Sequence, residues 1–219
     1  MDPIPQSAAE LALRRSEWLL DFMERQRALS PWHRDIQRVR DIGAEDFLDE
    51  FYAPARPVLI EGAMEEWPAL RRWTPSYLRE TVGAAPIGYQ GGRASSRDFE
   101  IDKEAFRRTL PFDAYLDLIE ADPGNDAYVT ASNNERNRAA LAPLDCDLGP
   151  LPDFMTPGPG MMWIGPAGTL TPLHFDLTNN LIAQLVGRKR IVLLPPSETL
   201  TYTNFRWPND GWTDFPANG

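Results

Sequence analysis

Cysteine and histidine are scarce in this sequence of 219 residues, which contains only Cys146, His33 and His174. A single cysteine can form neither a disulfide nor a cysteine-based zinc site within the chain, so a reducing, cytoplasmic setting is the default expectation. No run approaches the ~20 apolar residues of a membrane span. The first ten residues lack the basic and apolar regions of a signal peptide. We therefore expect a cytoplasmic protein without a membrane partner.

Basic residues are outnumbered as well: 22 Lys and Arg stand against 32 Asp and Glu, which gives a formal net charge of -10. Because nucleic-acid phosphates bind to basic surfaces, we expect no nucleic-acid partner. The 21 prolines argue against an all-helical bundle. A hydrophobic fraction of 42% and an aromatic fraction of 11% indicate a folded globular chain rather than a disordered one.

Residues 1–40 are predicted to form an N-terminal helical extension, separate from a domain that spans residues 41–219. A helix over 7–29 is indicated by four apolar residues near the 3.6-residue period: Leu11, Trp18, Phe22 and Leu29. Ser7 and Glu10 have the spacing of a capping box. The apolar stripe has two interpretations: it packs on the body of the protein, or it pairs with a second copy in a homodimer.

The first part of the following domain mixes short helices with short strands. The patterns predict helices over 44–52, 75–81 and 112–119, and strands over 56–60 and 127–130. The Gly-, Ser- and Arg-rich stretch 87–101 is predicted to be a hairpin or an exposed loop. Residues 142–160 hold many prolines and are expected to be irregular.

The last third consists of short apolar runs that favour β-structure, at 161–164, 173–177, 180–186 and 190–194. Glycine and proline separate the runs, and no helix fits between them, so the pattern is typical of a meander or jelly roll rather than of βαβ units. The predicted fold class is therefore α+β and mainly β, with N-terminal helices before a jelly roll.

The segment Thr171-Pro-Leu-His174-Phe-Asp176 carries the clearest chemical signal. Residues i and i+2 of a strand point to the same face, so His174 and Asp176 would project together. An imidazole and a carboxylate in this arrangement supply two of the three ligands of a 2-His-1-carboxylate iron site. The pair alone is a weak signal, because His33-Arg34-Asp35 repeats it in a polar loop, where we interpret it as ordinary surface.

The surrounding stretch MMWIGPAGTLTPLHFDLTNNLIAQLVGRKRIVLLPP, residues 161–196, resembles the cupin-like JmjC family of Fe(II)- and 2-oxoglutarate-dependent oxygenases. The resemblance is greatest to the branch of the asparaginyl hydroxylase that inhibits hypoxia-inducible factor. Upstream, Arg56-Pro-Val-Leu-Ile-Glu-Gly62 with Trp67-Pro68 is similar to the family's N-terminal segment. The resemblance covers residues 40–196 and implies a double-stranded β-helix, Fe(II) as metal and 2-oxoglutarate as cosubstrate.

The resemblance also implies roles for individual residues. His174 and Asp176 match the first two iron ligands, and no catalytic residue beyond the metal ligands is implied. Four residues match cosubstrate contacts: Lys189 for the distal carboxylate, Thr171 for the same group, and Asn180 and Tyr128 nearby. Each has an ordinary alternative: a solvated turn lysine for Lys189, a strand-start cap for Asn180 and a core aromatic residue for Tyr128.

One element of the family pattern is missing. The third ligand is a histidine on a later strand, and no histidine follows His174. We therefore expect the jelly roll to be C-terminally incomplete, either as a fragment, which unpaired sheet edges favour, or as a degenerate domain. His33 is a weak substitute ligand. A chain with two protein ligands is expected to be inactive alone, whereas a longer protein would be active.

Two function classes follow from the resemblance. The first is a 2-oxoglutarate-dependent dioxygenase that hydroxylates a protein or peptide side chain. The second is a non-catalytic cupin-like binding module with an incomplete metal site. A nuclease or zinc hydrolase is disfavoured, because no further His or Cys ligand is present.

Overall fold

The computed structural model describes residues 7–29, 35–96, 99–130, 134–152, 154–155, 160–174, 176 and 179–194. The first element is helix α1, Ala8–Leu29. Its start is the predicted capping box, because the Glu10 amide donates to Ser7 Oγ at 3.1 Å and the Ser7 amide donates to Glu10 Oε2 at 3.0 Å. None of the described helices has the length and apolarity to cross a bilayer.

The apolar stripe of α1 is not covered by the described part of the chain. Trp18 is 66% exposed, and its ring stacks on that of Phe22 with centroids 5.7 Å apart. Within the described residues, the stripe therefore does not pack on the body of the protein. Pairing of α1 with a second copy, and the division at residue 40, stay predictions.

Two small sheets follow α1. Strands β1, Gln37–Arg40, and β2, Val58–Glu61, form a parallel pair. Strands β3, Pro86–Gly91, β4, Arg107–Pro111, and β5, Ala127–Tyr128, form an antiparallel sheet in the order β4-β3-β5. The helices are α2, Ala44–Phe47, continued by a π turn over Leu48–Tyr52; α3, Ala69–Arg72; α4, Pro75–Val82; α5, Phe112–Ala121; and α6, Asn134–Leu141.

The core lies on one face of the antiparallel sheet. Ile87 and Tyr89 of β3 project to this face and are buried with Phe112 and Tyr115 of α5. Because side chains alternate along a strand, Gln90 of β3 points to the opposite face. Gln90 is the register partner of Tyr128 in β5, so these two side chains share the opposite face.

Most predicted elements of the middle region are confirmed, including the helices at 44–52, 75–81 and 112–119. The strands predicted at 56–60 and 127–130 are present with shifted or shorter bounds, as Val58–Glu61 and Ala127–Tyr128. The stretch 87–101 is not an exposed loop at its start: residues 87–91 are buried in the central strand, and the hairpin alternative fits the antiparallel β3–β4 pair. The sequence pattern does not reveal this strand, because its glycines contribute no apolar side chain to the alternation. Helix α6 was not predicted, since the polar sequence NERNRAAL has little helical periodicity.

The last third has little regular structure in its described part. Ile164 forms an antiparallel bridge with Val129, and no described residue after it belongs to a strand. The apolar runs are exposed, with Val192 at 64% and Ile182 at 58%. A strand needs a neighbour to satisfy its backbone groups, and the described residues supply none here. The strands predicted at 173–177, 180–186 and 190–194 are therefore not present in the described residues. The described residues of 173–186 contain no helix either, and the double-stranded β-helix stays a prediction.

Candidate metal and cosubstrate site

The bridge between β5 and the last third positions the candidate site. The Val129 amide donates to the Ile164 carbonyl at 2.9 Å, and the Ile164 amide returns a bond of 3.2 Å. The buried Tyr115 hydroxyl from α5 donates to the same Ile164 carbonyl at 2.6 Å and accepts from the Val129 amide at 3.2 Å. Burial strongly raises the pKa of Tyr115, so the hydroxyl keeps its proton and can donate.

Two of the predicted cosubstrate residues meet beside this bridge. Lys189 Nζ donates to the Tyr128 hydroxyl at 3.3 Å, although the residues are 61 positions apart. The ammonium also lies 5.7 Å from the ring centroid of Trp163, which in turn lies 5.5 Å from the Tyr128 ring. Lys189 is exposed, and its contacts with described side chains are these two, neither of which involves a carboxylate. The cluster therefore presents a positive charge with free donors.

The ring of Tyr128 is held by a close backbone approach. A Cβ added to Gly165 would lie 2.7 Å from Tyr128 Cδ2 and 2.6 Å from Thr169 Oγ1. No side chain fits between these atoms. Gly165 therefore allows the turn after Ile164 to pack directly on Tyr128.

His174 and Asp176 come together as the sequence predicts. His174 Nε2 lies 3.7 Å from Asp176 Oδ2, and the side chains are 38% and 49% exposed. His174 Nδ1 lies 2.8 Å from the Pro172 carbonyl oxygen, which can only accept, so Nδ1 carries the proton. In the neutral ring, the Nε2 lone pair is then free on the side of the carboxylate. This is the usual orientation of a metal-binding histidine.

Asn180 contacts the carboxylate rather than the Tyr128–Lys189 cluster. Its amide donates to Asp176 Oδ2, as outer residues do when they orient a ligating carboxylate. Thr171 is half-buried and follows Leu170, whose carbonyl accepts from Arg93 Nη2 at 2.9 Å. The structure thus brings together His174, Asp176 and Asn180 in one group, and Tyr128 and Lys189 in another.

Three residues near the Tyr128 face were missed from the sequence: Gln90, Arg93 and Trp163. Arg93 is fully buried, and its guanidinium lies 5.0 Å from the Tyr128 ring centroid and 4.3 Å from that of Phe99. Burial lowers the pKa of Arg93, while the Glu100 carboxylate at 2.9 Å raises it. Trp163 lies in an apolar run that resembles ordinary core, and Arg93 and Gln90 lie in the stretch predicted as hairpin or loop. The sequence holds no signal that separates them from such roles.

A third metal ligand is not found among the described residues, where no group of three or more His, Cys, Asp and Glu side chains could hold a metal ion. His33, the substitute candidate, lies outside the described residues. The single Cys146 is exposed and takes no part in this site.

Comparison of the chain with known protein families identifies its family. The family described as Cupin-like domain matches residues 44–204. That match covers most of the chain, which therefore belongs to the cupin-like family.

Individual relatives narrow this to the JmjC type. Lysine-specific demethylase 8 of Xenopus tropicalis is 30% identical over 162 residues, which cover 71% of this chain and 35% of that protein. The human bifunctional peptidase and (3S)-lysyl hydroxylase JMJD7 is 31% identical over 172 residues, or 69% of this chain and 51% of that protein. Human tRNA wybutosine-synthesizing protein 5 is 25% identical over 182 residues, 76% of this chain and 57% of that protein.

These relatives and the cupin-like match confirm the resemblance to JmjC-type Fe(II)- and 2-oxoglutarate-dependent oxygenases. The chain spans about a third to just over half of the length of these relatives. The particular branch stays a prediction.

Proposed function

We propose that this protein is an Fe(II)- and 2-oxoglutarate-dependent oxygenase that hydroxylates a protein or peptide side chain. The observation that carries the proposal is the hydrogen bond of 3.3 Å between Lys189 and Tyr128, two residues that the family resemblance assigns to the cosubstrate. Nothing in their local sequence requires them to meet. The names of two relatives, a lysine-specific demethylase and a lysyl hydroxylase, support a protein substrate.

The residues present fit the metal in their donor chemistry. The imidazole Nε2 of His174 and the carboxylate of Asp176 are donors that suit Fe(II). Their separation of 3.7 Å sets two Lewis bases side by side, an arrangement that a shared cation would stabilise. Asn180 fixes the carboxylate and Pro172 fixes the imidazole, so both donors are oriented before a metal binds.

The residues present also fit an acidic cosubstrate. Lys189 is a compact cation with two donors left after its bond to Tyr128, and the Tyr128 hydroxyl, which accepts that bond, keeps its own proton to donate. A carboxylate placed here accepts from both groups. When bound, iron and 2-oxoglutarate supply the oxygen-activating chemistry, and this chain's residues bind and orient them.

The experiment that tests the proposal is succinate formation by the full-length protein supplied with 2-oxoglutarate, Fe(II) and oxygen. We expect iron-dependent succinate that His174→Ala abolishes. His33→Ala is the matched control. We expect it to leave the rate unchanged, because the sequence places the His33-Arg34-Asp35 copy of the motif in a polar loop. If His33→Ala also abolishes the rate, His33 is the missing ligand.

The alternative is a non-catalytic cupin-like binding module. It is favoured by the absence of a third ligand among the described residues. Metal content separates the two functions: a near-stoichiometric Fe(II) complex that is lost in His174→Ala supports the oxygenase, whereas a protein that binds neither iron nor 2-oxoglutarate is a binding module.

A further inference from the structure

Leu170, which lies just before the segment that carries His174 and Asp176, is held by side chains on both of its backbone groups. Its amide donates to Asn125 Oδ1 at 2.9 Å, and its carbonyl accepts from Arg93 Nη2 at 2.9 Å. These partners lie 45 and 77 positions away in the chain. Leu170 belongs to no helix or strand and is 44% exposed, so the two side chains, rather than a backbone ladder or burial, fix its position.

The backbone around Arg93 is fixed by the residue that follows Asn125. The Asp126 carboxylate accepts from the amide of Gly92 at 3.1 Å and from the amide of Ala94 at 3.0 Å. These amides flank Arg93, whose own amide donates to the Asp126 carbonyl at 3.3 Å. Neighbouring residues of one turn therefore hold the amide of Leu170 and the backbone from which Arg93 reaches its carbonyl.

The Arg93 side chain is fixed as well. It is fully buried, and its guanidinium carbon lies 4.3 Å from the ring centroid of Phe99 and 5.0 Å from that of Tyr128. The Glu100 carboxylate lies 2.9 Å from the same Nη2 that bonds to Leu170 and balances the charge. A planar guanidinium with these neighbours has one orientation, so its bond to the Leu170 carbonyl is a rigid contact.

The path from Leu170 to the candidate metal ligand is short and stiff. Thr171 precedes a proline, which restricts its backbone to extended conformations, and the ring of Pro172 fixes the φ angle of the next residue. The Pro172 carbonyl oxygen then lies 2.8 Å from His174 Nδ1. A displacement at Leu170 is therefore passed on to the carbonyl that orients the imidazole.

We propose that Arg93 and Asn125 are positioning residues that hold Leu170 and thereby orient the His174 imidazole, an inference that rests on the proposed function for the role of His174 as an iron ligand. They act through the backbone, as outer residues act on metal ligands. Without them the imidazole samples other orientations, so the metal affinity falls while the fold is kept.

The first test is the affinity for Fe(II), measured by calorimetry without oxygen. Asn125 is half-buried, and Asn125→Ala removes only the acceptor of the Leu170 amide. The loss of one neutral hydrogen bond corresponds to a factor of about 2 to 13, and we expect the Fe(II) affinity to fall by this factor. Asn125→Asp keeps an oxygen acceptor at the same place, so we expect it to retain the parent affinity.

The second test observes the imidazole in the metal-free protein by ¹⁵N NMR. The chain has two histidines, His33 and His174, so His33→Ala assigns both rings. We expect the neutral His174 ring of the parent to carry its proton on Nδ1. Asn125→Ala should give a mixture of the two tautomers, because the Pro172 carbonyl is no longer held in place, and Asn125→Asp should give the parent spectrum.

Two further variants separate positioning from stability. Asp147→Asn weakens a different buried cluster, so we expect a lower melting temperature with the parent Fe(II) affinity and ring spectrum. Arg93→Met combined with Glu100→Gln removes the other contact without leaving a buried carboxylate unpaired. We expect this double variant to give the tautomer mixture and a larger loss of Fe(II) affinity than Asn125→Ala, because a charged donor is lost.

Two results overturn the positioning role: a parent ring spectrum in Asn125→Ala, or the same changes in Asn125→Asp, which keeps the acceptor. An unchanged Fe(II) affinity in a destabilised Asn125→Ala would likewise show that the contact is only structural. If the parent binds no Fe(II) but the ring spectra respond as expected, the oxygenase proposal fails and the positioning role stands.

Discussion

Replacing Tyr115 by phenylalanine tests how the core positions the candidate site. The change removes one hydroxyl that bonds to the Ile164 carbonyl at 2.6 Å and to the Val129 amide at 3.2 Å. The two backbone groups still bond to each other at 2.9 Å, so neither is left unpaired. The loss is therefore two net hydrogen bonds of about 0.5–1.5 kcal/mol each, or about 1–3 kcal/mol in total.

The assay is thermal unfolding followed by circular dichroism. For a chain of this size, 1 kcal/mol corresponds to about 2–4 °C, so we expect the melting temperature of Tyr115→Phe to fall by roughly 2–12 °C. Tyr89→Phe is the matched control, because the Tyr89 ring lies 5.1 Å from that of Tyr115 in the same core, whereas the bonds to Ile164 and Val129 come from the Tyr115 hydroxyl. Equal melting temperatures for Tyr115→Phe and the parent would refute the role of this hydroxyl.

Two further predictions concern Asp147 and Gly165. Asp147 is buried, and its pKa is held below the usual range by the Tyr77 hydroxyl at 2.6 Å, against the opposing effect of burial, with further bonds from Arg72 and Trp73. The stability that Asp147 contributes is therefore present above the unfolded pKa of about 3.9 and is lost as pH falls through the folded value. The free energy of unfolding of Asp147→Asn, followed between pH 2 and 7, should fall less steeply towards acid than that of the parent. The same acid dependence in both proteins would contradict this. Gly165→Ala places a methyl group 2.7 Å from the Tyr128 ring. We therefore expect weaker 2-oxoglutarate binding by calorimetry and a lower melting temperature. Gly160→Ala is the control and should change neither, because its methyl group meets nothing within 4 Å.

The sequence predicts the helices and strands of the middle region because their apolar spacing and capping signals are local. The capping box of Ser7 and Glu10 and the buried face of α5 are such cases. Strand β3 is hidden, because its glycines leave the hydrophobic alternation incomplete. The last third is predicted as strands from apolar runs, but a ladder depends on long-range partners that a local pattern does not contain.

The candidate site also contains some residues that local sequence predicts and others that depend on long-range contacts. His174 and Asp176 are near in sequence, so their meeting follows from local geometry. The Lys189–Tyr128 contact is predictable only through the family resemblance, because 61 residues separate them. Arg93 and Asn125 carry no motif, and only their hydrogen bonds to Leu170 identify them. The homodimer, the cytoplasmic location and the exclusion of nucleic acid stay predictions.

The most direct test of the oxygenase proposal is calorimetric titration of 2-oxoglutarate into the Fe(II)-loaded, oxygen-free protein. A hydrogen bond from a charged group contributes about 1.5–3 kcal/mol, so we expect Lys189→Ala to weaken binding roughly 10- to 150-fold. The neighbouring Arg188→Ala carries the same loss of charge and should retain the parent affinity. Equal affinities for Lys189→Ala and the parent, or equal losses in both variants, would contradict the assignment of Lys189 to the cosubstrate.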